Sequence, residues 1–214
     1  MLFRSGIPYY RNSWVSAAHG ESELRSVTIE HFGTTANVEC DMLACGFHLV
    51  PNIELAQILG CEIADGYVAV DDYQQTSVSD VYCAGEPTSI GGVEAAVVEG
   101  TIAGFAATEQ IKEARSLFRS RKKTTAFAKV LNQAFELREE LKTLAASSTI
   151  VCRCEDVQYG KLISYDDFRI AKLQTRCGMG SCQGRICGSA VEFLFGWKDR
   201  SVRPPIFPVK MENL

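Results

Sequence analysis

A chain of 214 residues with 46% hydrophobic side chains is long enough to bury one or two cores. Its formal net charge of -4 offers no electrostatic footprint for nucleic acid. The longest uncharged run, residues 42–53, is too short to span a bilayer and is interrupted by Gly46 and Pro51, and Met1-Leu2-Phe3-Arg4 lacks the apolar core of a secretory signal; a cytoplasmic protein without a transmembrane segment is expected.

The first 90 residues read as strands. Residues 26–31 alternate with period two, and residues 37–45 turn continuously apolar before Gly46, the pattern of a buried strand. Residues 51–59 predict a short helix, with Asn52 as its cap and Gly60 just past its end. Residues 66–71 read as another strand. Residues 76–86 read as a turn, a buried strand, and an acidic residue directly behind the terminal glycine. Gly91-Gly92-Val93 opens a helical pattern to about residue 119, with Gly100 and Gly104 allowing close packing. A second helix, over about residues 124–146, would align Phe127, Val130, Leu131, Ala134, Leu137, Leu141 and Leu144 on one face. Arg138, Glu139, Glu140 and Lys142 would form its solvated side. Residues 145–149 read as a linker. The tail, with Pro204, Pro205 and Pro208, cannot be helical and is expected to lie extended.

Five of the nine cysteines follow that linker: Cys152-Arg153-Cys154-Glu155, then Cys177-Gly178-Met179-Gly180-Ser181-Cys182-Gln183-Gly184-Arg185-Ile186-Cys187. A soft metal ion or an iron–sulfur cluster needs four thiolates converging from two loops, and Cys-x-Cys with Cys-x4-Cys can supply them. Gly178, Gly180 and Gly184 would let backbone N–H groups approach sulfur. The segment after Cys182, with Ala190, Val191, Phe193 and Leu194, reads as a helix whose positive end would face an anionic cluster. Disulfides would need an oxidising compartment. Zinc remains open on donor type, although its usual spacing is Cys-x2-4-Cys in both halves. Cys40, Cys45, Cys61 and Cys83 lack metal-like spacing and read as small core residues.

The string Cys152-Arg-Cys154-Glu-Asp followed by Thr-Arg-Cys-Gly-Met-Gly-x-Cys182-Gln-Gly-Arg-x-Cys187 resembles the [2Fe-2S] domain related to bacterioferritin-associated ferredoxin (BFD-like). The similarity is to the version fused to flavoprotein subunits of the opine oxidase and hydrogen cyanide synthase type. The resemblance implies that Cys152, Cys154, Cys182 and Cys187 ligate a [2Fe-2S] cluster, with Cys177 outside the set. The stretch between Cys154 and Cys182 is a few residues shorter than in the free-standing ferredoxin, so a helix near Tyr165-Asp166-Asp167 is expected to shrink to a turn.

Taken on its residues alone, the 81–93 segment is either an ordinary βα turn or a nucleotide site. The string Thr76-Ser77-Val78, Val81-Tyr82 and Ala84-Gly85-Glu86 resembles the late FAD-binding motif of two-dinucleotide-domain flavoproteins of the pyridine nucleotide–disulfide oxidoreductase type. The strand and turn before that motif are matched by Leu43-Ala44-Cys45-Gly46-Phe47. The resemblance implies that Glu86 meets the ribityl chain and that Gly85, Gly91, Gly92 and Val93 line FAD. The Gly-x-Gly-x-x-Gly motif that cradles the pyrophosphate in such proteins does not occur in this sequence.

The expected fold class is α/β: part of a two-dinucleotide-binding-domain flavoprotein at 1–120, a helical linker at 121–149, a small, mainly helical BFD-like domain at 150–200, and an extended tail at 201–214. The expected function is that of an oxidoreductase subunit, as the C-terminal half of a larger flavo-iron–sulfur subunit, truncated or supplied in two pieces. It would relay electrons between FAD and the cluster while a small amino or imino acid or an opine is oxidised at a C–N bond. A second flavoprotein subunit is the expected partner, and no residue presents itself as a catalytic acid or base. The alternative is a non-enzymatic ferredoxin-like or zinc-stabilised binding module.

Overall fold

A computed structural model describes residues 6–198, 202, 204–206 and 209–213. Its strands begin with an antiparallel meander in the order β1 (Ser13–His19), β2 (Ser26–His31), β3 (Thr34–Glu39). Phe32 and Gly33 join β2 to β3 with φ of 46° and 80°. Positive φ at both central residues makes the primed turn whose twist suits a tight hairpin, and it sets Thr34 opposite His31. The strand expected over 37–45 stops at Glu39. Residues 42–50 take up no regular structure and are exposed, because among the described residues no neighbouring strand pairs with them.

The short helix α1 (Glu54–Ile58) is capped by Ile53 rather than Asn52, with no side-chain hydrogen bond. Gly60, at φ 81°, lets the chain reverse behind it. Asp65-Gly66 then closes a hairpin between β4 (Ile63–Ala64) and β5 (Tyr67–Val68). Residues 69–90 form turns with two isolated bridges, Val70 to Thr76 and Gln75 to Tyr82, where a buried strand was expected at 81–83.

Three helices follow: α2 (Gly92–Ala107), α3 (Ile111–Ser116) and α4 (Phe118–Ala134). The single helix expected to residue 119 is broken after α2, where Glu109 adopts φ 62°. Ala95, Glu99, Ile102 and Ala106 form the buried stripe of α2, and full burial of Ile102 is worth about 1.5–3 kcal/mol. The second helix starts and ends earlier than its periodicity predicts, giving way to a 3-10 turn at Glu139–Leu144. Its inward residues are Ala128 and the half-buried Thr124, Thr125 and Asn132, and Asn132 Nδ2 donates to Ile90 O at 3.0 Å. Phe127, Val130 and Leu131 are exposed instead of buried. The small residues of α2 accept only the small, polar face of α4, so its apolar stripe has no cover among the described residues.

The cysteine-rich segment gathers its own core. It consists of β6 (Ile150–Cys152), β7 (Val157–Gln158), α5 (Tyr159–Leu162), α6 (Phe168–Thr175) and α7 (Cys187–Phe195) around Val151, Val157, Leu162, Phe168, Ala171 and Val191. Residues 163–167 form turns and a bend, as expected around Tyr165, between the four-residue α5 and α6, which Asp167 caps, its Oδ1 accepting the Ile170 N–H at 3.1 Å. Tyr159, Phe195 and Trp197 stack along one side, with centroid separations of 5.3 and 4.4 Å. This segment meets the rest through the Arg185–Glu54 ion pair at 3.3 Å and through the 3-10 turn. Arg138, just before the turn, lies over Trp14, and Lys142 within it lies over Phe193. In the tail, Met211–Asn213 forms a 3-10 turn and Pro208 falls outside the described residues. Among the described residues, no helix is long and apolar enough to cross a membrane.

Candidate metal centre and flavin wall

Two loops carry the five clustered cysteines. The first is the β6–β7 hairpin, which holds Cys152 at the end of β6 and Cys154 in the turn. The second begins where α6 ends: Arg176 takes φ 64° and the Cys177 N–H donates to Thr175 Oγ1 at 3.2 Å, turning the chain sharply inward. Arg176 Nε also donates to Glu155 Oε2 at 2.7 Å, so the Glu of Cys-x-Cys-Glu clamps the Arg of Thr-Arg-Cys. That hydrogen bond is the leading reason the Glu155 carboxyl lies below its ordinary range. Gly180 is pressed against the hairpin, since a Cβ there would overlap Cys154 Cβ.

The sulfurs fall into two groups. Cys152, Cys177 and Cys187 are buried, at 1%, 0% and 2% exposure, with their Sγ atoms within 4.8 Å of one another. Cys154 and Cys182 lie nearer the surface, the Cys154 Sγ 3.8 Å from Ser181 Oγ and in hydrogen-bonding contact with Cys182. The structure therefore brings Cys152 and Cys187 of the expected ligand set together with Cys177, which the resemblance had left out. It brings the other two members, Cys154 and Cys182, together beside them.

Electrostatics distinguish the thiols. The hydrogen bond with Cys187 draws Cys177 below the usual thiol value against the opposing effect of burial, and the same bond, then burial, pushes Cys187 far up. Cys182 is lowered, first by the Ile186 N–H and also by Cys154 and the Gly184 and Arg185 N–H groups. Backbone amides before α7 thus point at a sulfur, an arrangement that favours thiolate. Among the described residues the donors are soft thiols without a converging imidazole or carboxylate, which suits a thiolate-bound metal or cluster.

The second region surrounds Gly85, which is buried at φ 81° and opens a turn whose Thr88 and Ser89 N–H groups donate to its carbonyl at 2.9 and 3.1 Å. Its own N–H donates to Glu99 Oε2 at 2.9 Å, and Thr88 Oγ1 contacts the same oxygen at 3.4 Å. Glu86, Gly92 and Val93 are exposed and Gly91 is half-buried at the cap of α2, which has no side-chain cap. The first-turn N–H groups of α2 and the Glu86 carboxylate therefore face open space and fit one wall of a polar cofactor, FAD included. Thr88, Ser89 and Glu99 also border a cleft of about 270 Å³ with Gln74 and Arg121, into which sequence reasoning had placed nothing. Gln74 Oε1 is buried there without a hydrogen-bond partner. Glu99 was readable in principle, since it occupies the Ala95–Ile102–Ala106 stripe where a charged residue needs an explanation.

Residues 1–100 match the Pyridine nucleotide-disulphide oxidoreductase family. Hydrogen cyanide synthase subunit HcnB of Pseudomonas aeruginosa is 30% identical over 210 residues, covering 86% of this chain and 45% of the relative. An opine oxidase subunit of Agrobacterium tumefaciens is 30% identical over 203 residues, covering 78% and 39%. The same-named protein of Rhizobium meliloti is 29% identical over 244 residues, covering 99% and 52%. The chain thus spans about half the length of the curated relatives it matches.

Proposed function

We propose, from the match of residues 1–100 to the pyridine nucleotide-disulphide oxidoreductase family, that this chain is the electron-relay portion of an FAD-dependent oxidoreductase subunit. Gly85, Glu86, Gly91, Gly92 and Val93 would form one wall of the FAD site. Cys152, Cys154, Cys182 and Cys187 would hold a [2Fe-2S] cluster in a BFD-like domain at 150–200, joined to residues 1–120 by 121–149. The observation that carries this reading is that two loops, locked together by Glu155 and Arg176, bring Cys152, Cys177 and Cys187 within 4.8 Å of one another and pair Cys154 with Cys182 beside them. FAD would accept a hydride or two electrons, and the cluster would pass them on singly.

This chain's own contribution is positional. The Gly85–Ser89 turn, held by Glu99, fixes the start of the segment that leads into α2. The amides of Gly184, Arg185 and Ile186 lower the Cys182 thiol and so favour its thiolate form. The names of the relatives, hydrogen cyanide synthase and opine oxidase, support oxidation at a C–N bond of a small amino or imino acid or an opine, in company with a second flavoprotein subunit.

The test is anaerobic reconstitution of the chain with iron and sulfide, followed by visible absorption and electron paramagnetic resonance. Serine at Cys152, Cys154, Cys182 or Cys187 should abolish or shift the cluster spectrum, whereas Cys177→Ser should leave it nearly intact. A colourless protein that takes up only zinc would move the reading to a zinc-stabilised binding module.

A further inference from the structure

We propose that Cys152, Cys177 and Cys187 form a mononuclear site for one soft, thiolate-preferring d10 cation, an occupancy alternative to the iron–sulfur cluster and sharing two of its thiols. The inference rests on the cluster reading only for those shared residues. Its basis is the geometry of the three buried sulfurs, all within 4.8 Å of one another. A metal at a thiolate bond length of about 2.3 Å sets its sulfurs roughly 4 Å apart, so closing the site takes a contraction of less than about 1 Å. A two-iron cluster divides four thiolates two and two. A third sulfur within 4.8 Å of both Cys152 and Cys187 is not needed by such a cluster, but it completes a ring around a single ion.

The surroundings point the same way. Cys177 has no exposed surface; it lies in the apolar core with Val151, Leu162, Phe168 and Val191, and its hydrogen-bonding neighbours there are the sulfurs of Cys187 and Cys152. A cysteine serving only as a small core residue has no need of two other thiols beside it. Phe168 limits the backbone on the far side, since a Cβ at Gly178 would stand 3.3 Å from its ring and 4.0 Å from Cys187 Sγ. The three sulfurs are buried, and among the described residues no other donor joins them, which selects soft cations over Mg2+ or Ca2+. Binding displaces the thiol protons to solvent, up to one for each sulfur ligated.

Cys154 belongs to the cluster reading alone and Cys177 to the mononuclear site alone, so a reciprocal pair of variants separates them. The full chain, reduced and stripped with chelator, is titrated with Cd2+ while the ultraviolet sulfur-to-cadmium band and bound metal are recorded. The wild type should bind one Cd2+, and so should Cys154→Ser. Cys177→Ser and Cys177→Ala should bind about 100-fold or more weakly, since losing even a group that only orients a ligand costs roughly 10- to 100-fold. The alanine variant keeps an apolar atom in the buried position, and an unchanged far-ultraviolet spectrum shows that it folds. Wild-type Cd2+ affinity in Cys177→Ala would overturn the proposal. Failure of the cluster reading looks different: the wild type then takes up no iron and sulfide, while Cd2+ binding still depends on Cys177.

Discussion

Replacing Glu99 with alanine should release the turn that begins at Gly85. The carboxylate is 3% exposed and its Oε2 accepts the buried Gly85 N–H at 2.9 Å. Alanine leaves that buried N–H without its acceptor, at a cost of about 1–3 kcal/mol. Glutamine keeps an oxygen at the same reach and should cost less than about 1.5 kcal/mol, the value of an ordinary hydrogen bond. Since 1.4 kcal/mol is a factor of ten, the alanine variant should raise local opening about 5- to 150-fold, and amide exchange at Gly85 should accelerate by that factor. Hydrogen exchange read residue by residue over 85–89, with α7 amides as the control, measures this without requiring one global transition. If Gly85 exchanges at the wild-type rate in Glu99→Ala, its amide has another acceptor and Glu99 does not hold the turn. If Glu99→Gln accelerates exchange as much as alanine does, the hydrogen bond is not the agent.

Asp167→Ala should lower the stability of the cysteine-rich segment by about 1 kcal/mol through loss of the α6 cap, read as a lower midpoint in urea by tryptophan fluorescence; an unchanged midpoint would count against the cap. Glu155 is held below its ordinary value by Arg176, so its contribution is full above the unfolded carboxyl range and is lost as pH falls through the folded value. That pH-dependent component should disappear in Glu155→Gln melts recorded between neutrality and acid, and its persistence would exclude the pair as the source. The 214-residue chain should not retain FAD through gel filtration, because a helix N-terminus and one carboxylate supply about 1–3 kcal/mol against the roughly 8 kcal/mol of micromolar binding. A yellow, stoichiometric complex would refute this.

The parts of the fold that the sequence announced are those whose signals are local. Gly60 stops α1, Gly91-Gly92 opens α2, and the 190–194 apolar pattern is a helix starting at Cys187. Asp65-Gly66 is an equally local hairpin signal, masked by the apolar run that follows it and reads as a longer single strand. What failed depended on partners. Residues 42–45 are apolar enough for a buried strand, yet they have no strand to pair with among the described residues, and Met42 is 83% exposed. The stripe Phe127, Val130 and Leu131 has helical spacing, but α2 packs against Ala128, on the adjoining face of the helix. Cysteine convergence was legible from spacing. The grouping of Cys177 with Cys152 and Cys187 was not, because it depends on the left-handed turn at Arg176, a residue type that gives little notice of positive φ.

The connection between the two candidate sites runs through contacts that neither helical pattern nor cysteine spacing foretold. A helical linker was expected over 121–149, but α4 ends at Ala134 and the chain crosses by the Glu139–Leu144 turn. Arg138 reaches back over Trp14 in β1, while Lys142 reaches forward over Phe193 in α7, the helix that begins at Cys187. Arg185, two residues before α7, pairs with Glu54 at the start of α1. Both attachments on the cysteine side therefore fall on α7 or on the loop whose amides hold Cys182. A disturbance of α1 or β1 would reach the thiol cluster through that element, and the β6–β7 hairpin, clamped to Arg176 by Glu155 and packed directly on α7, would follow it. Cation–π contacts of this kind are worth about 0.5–1 kcal/mol at exposed sites, so removing either one should perturb the attachment by no more than that.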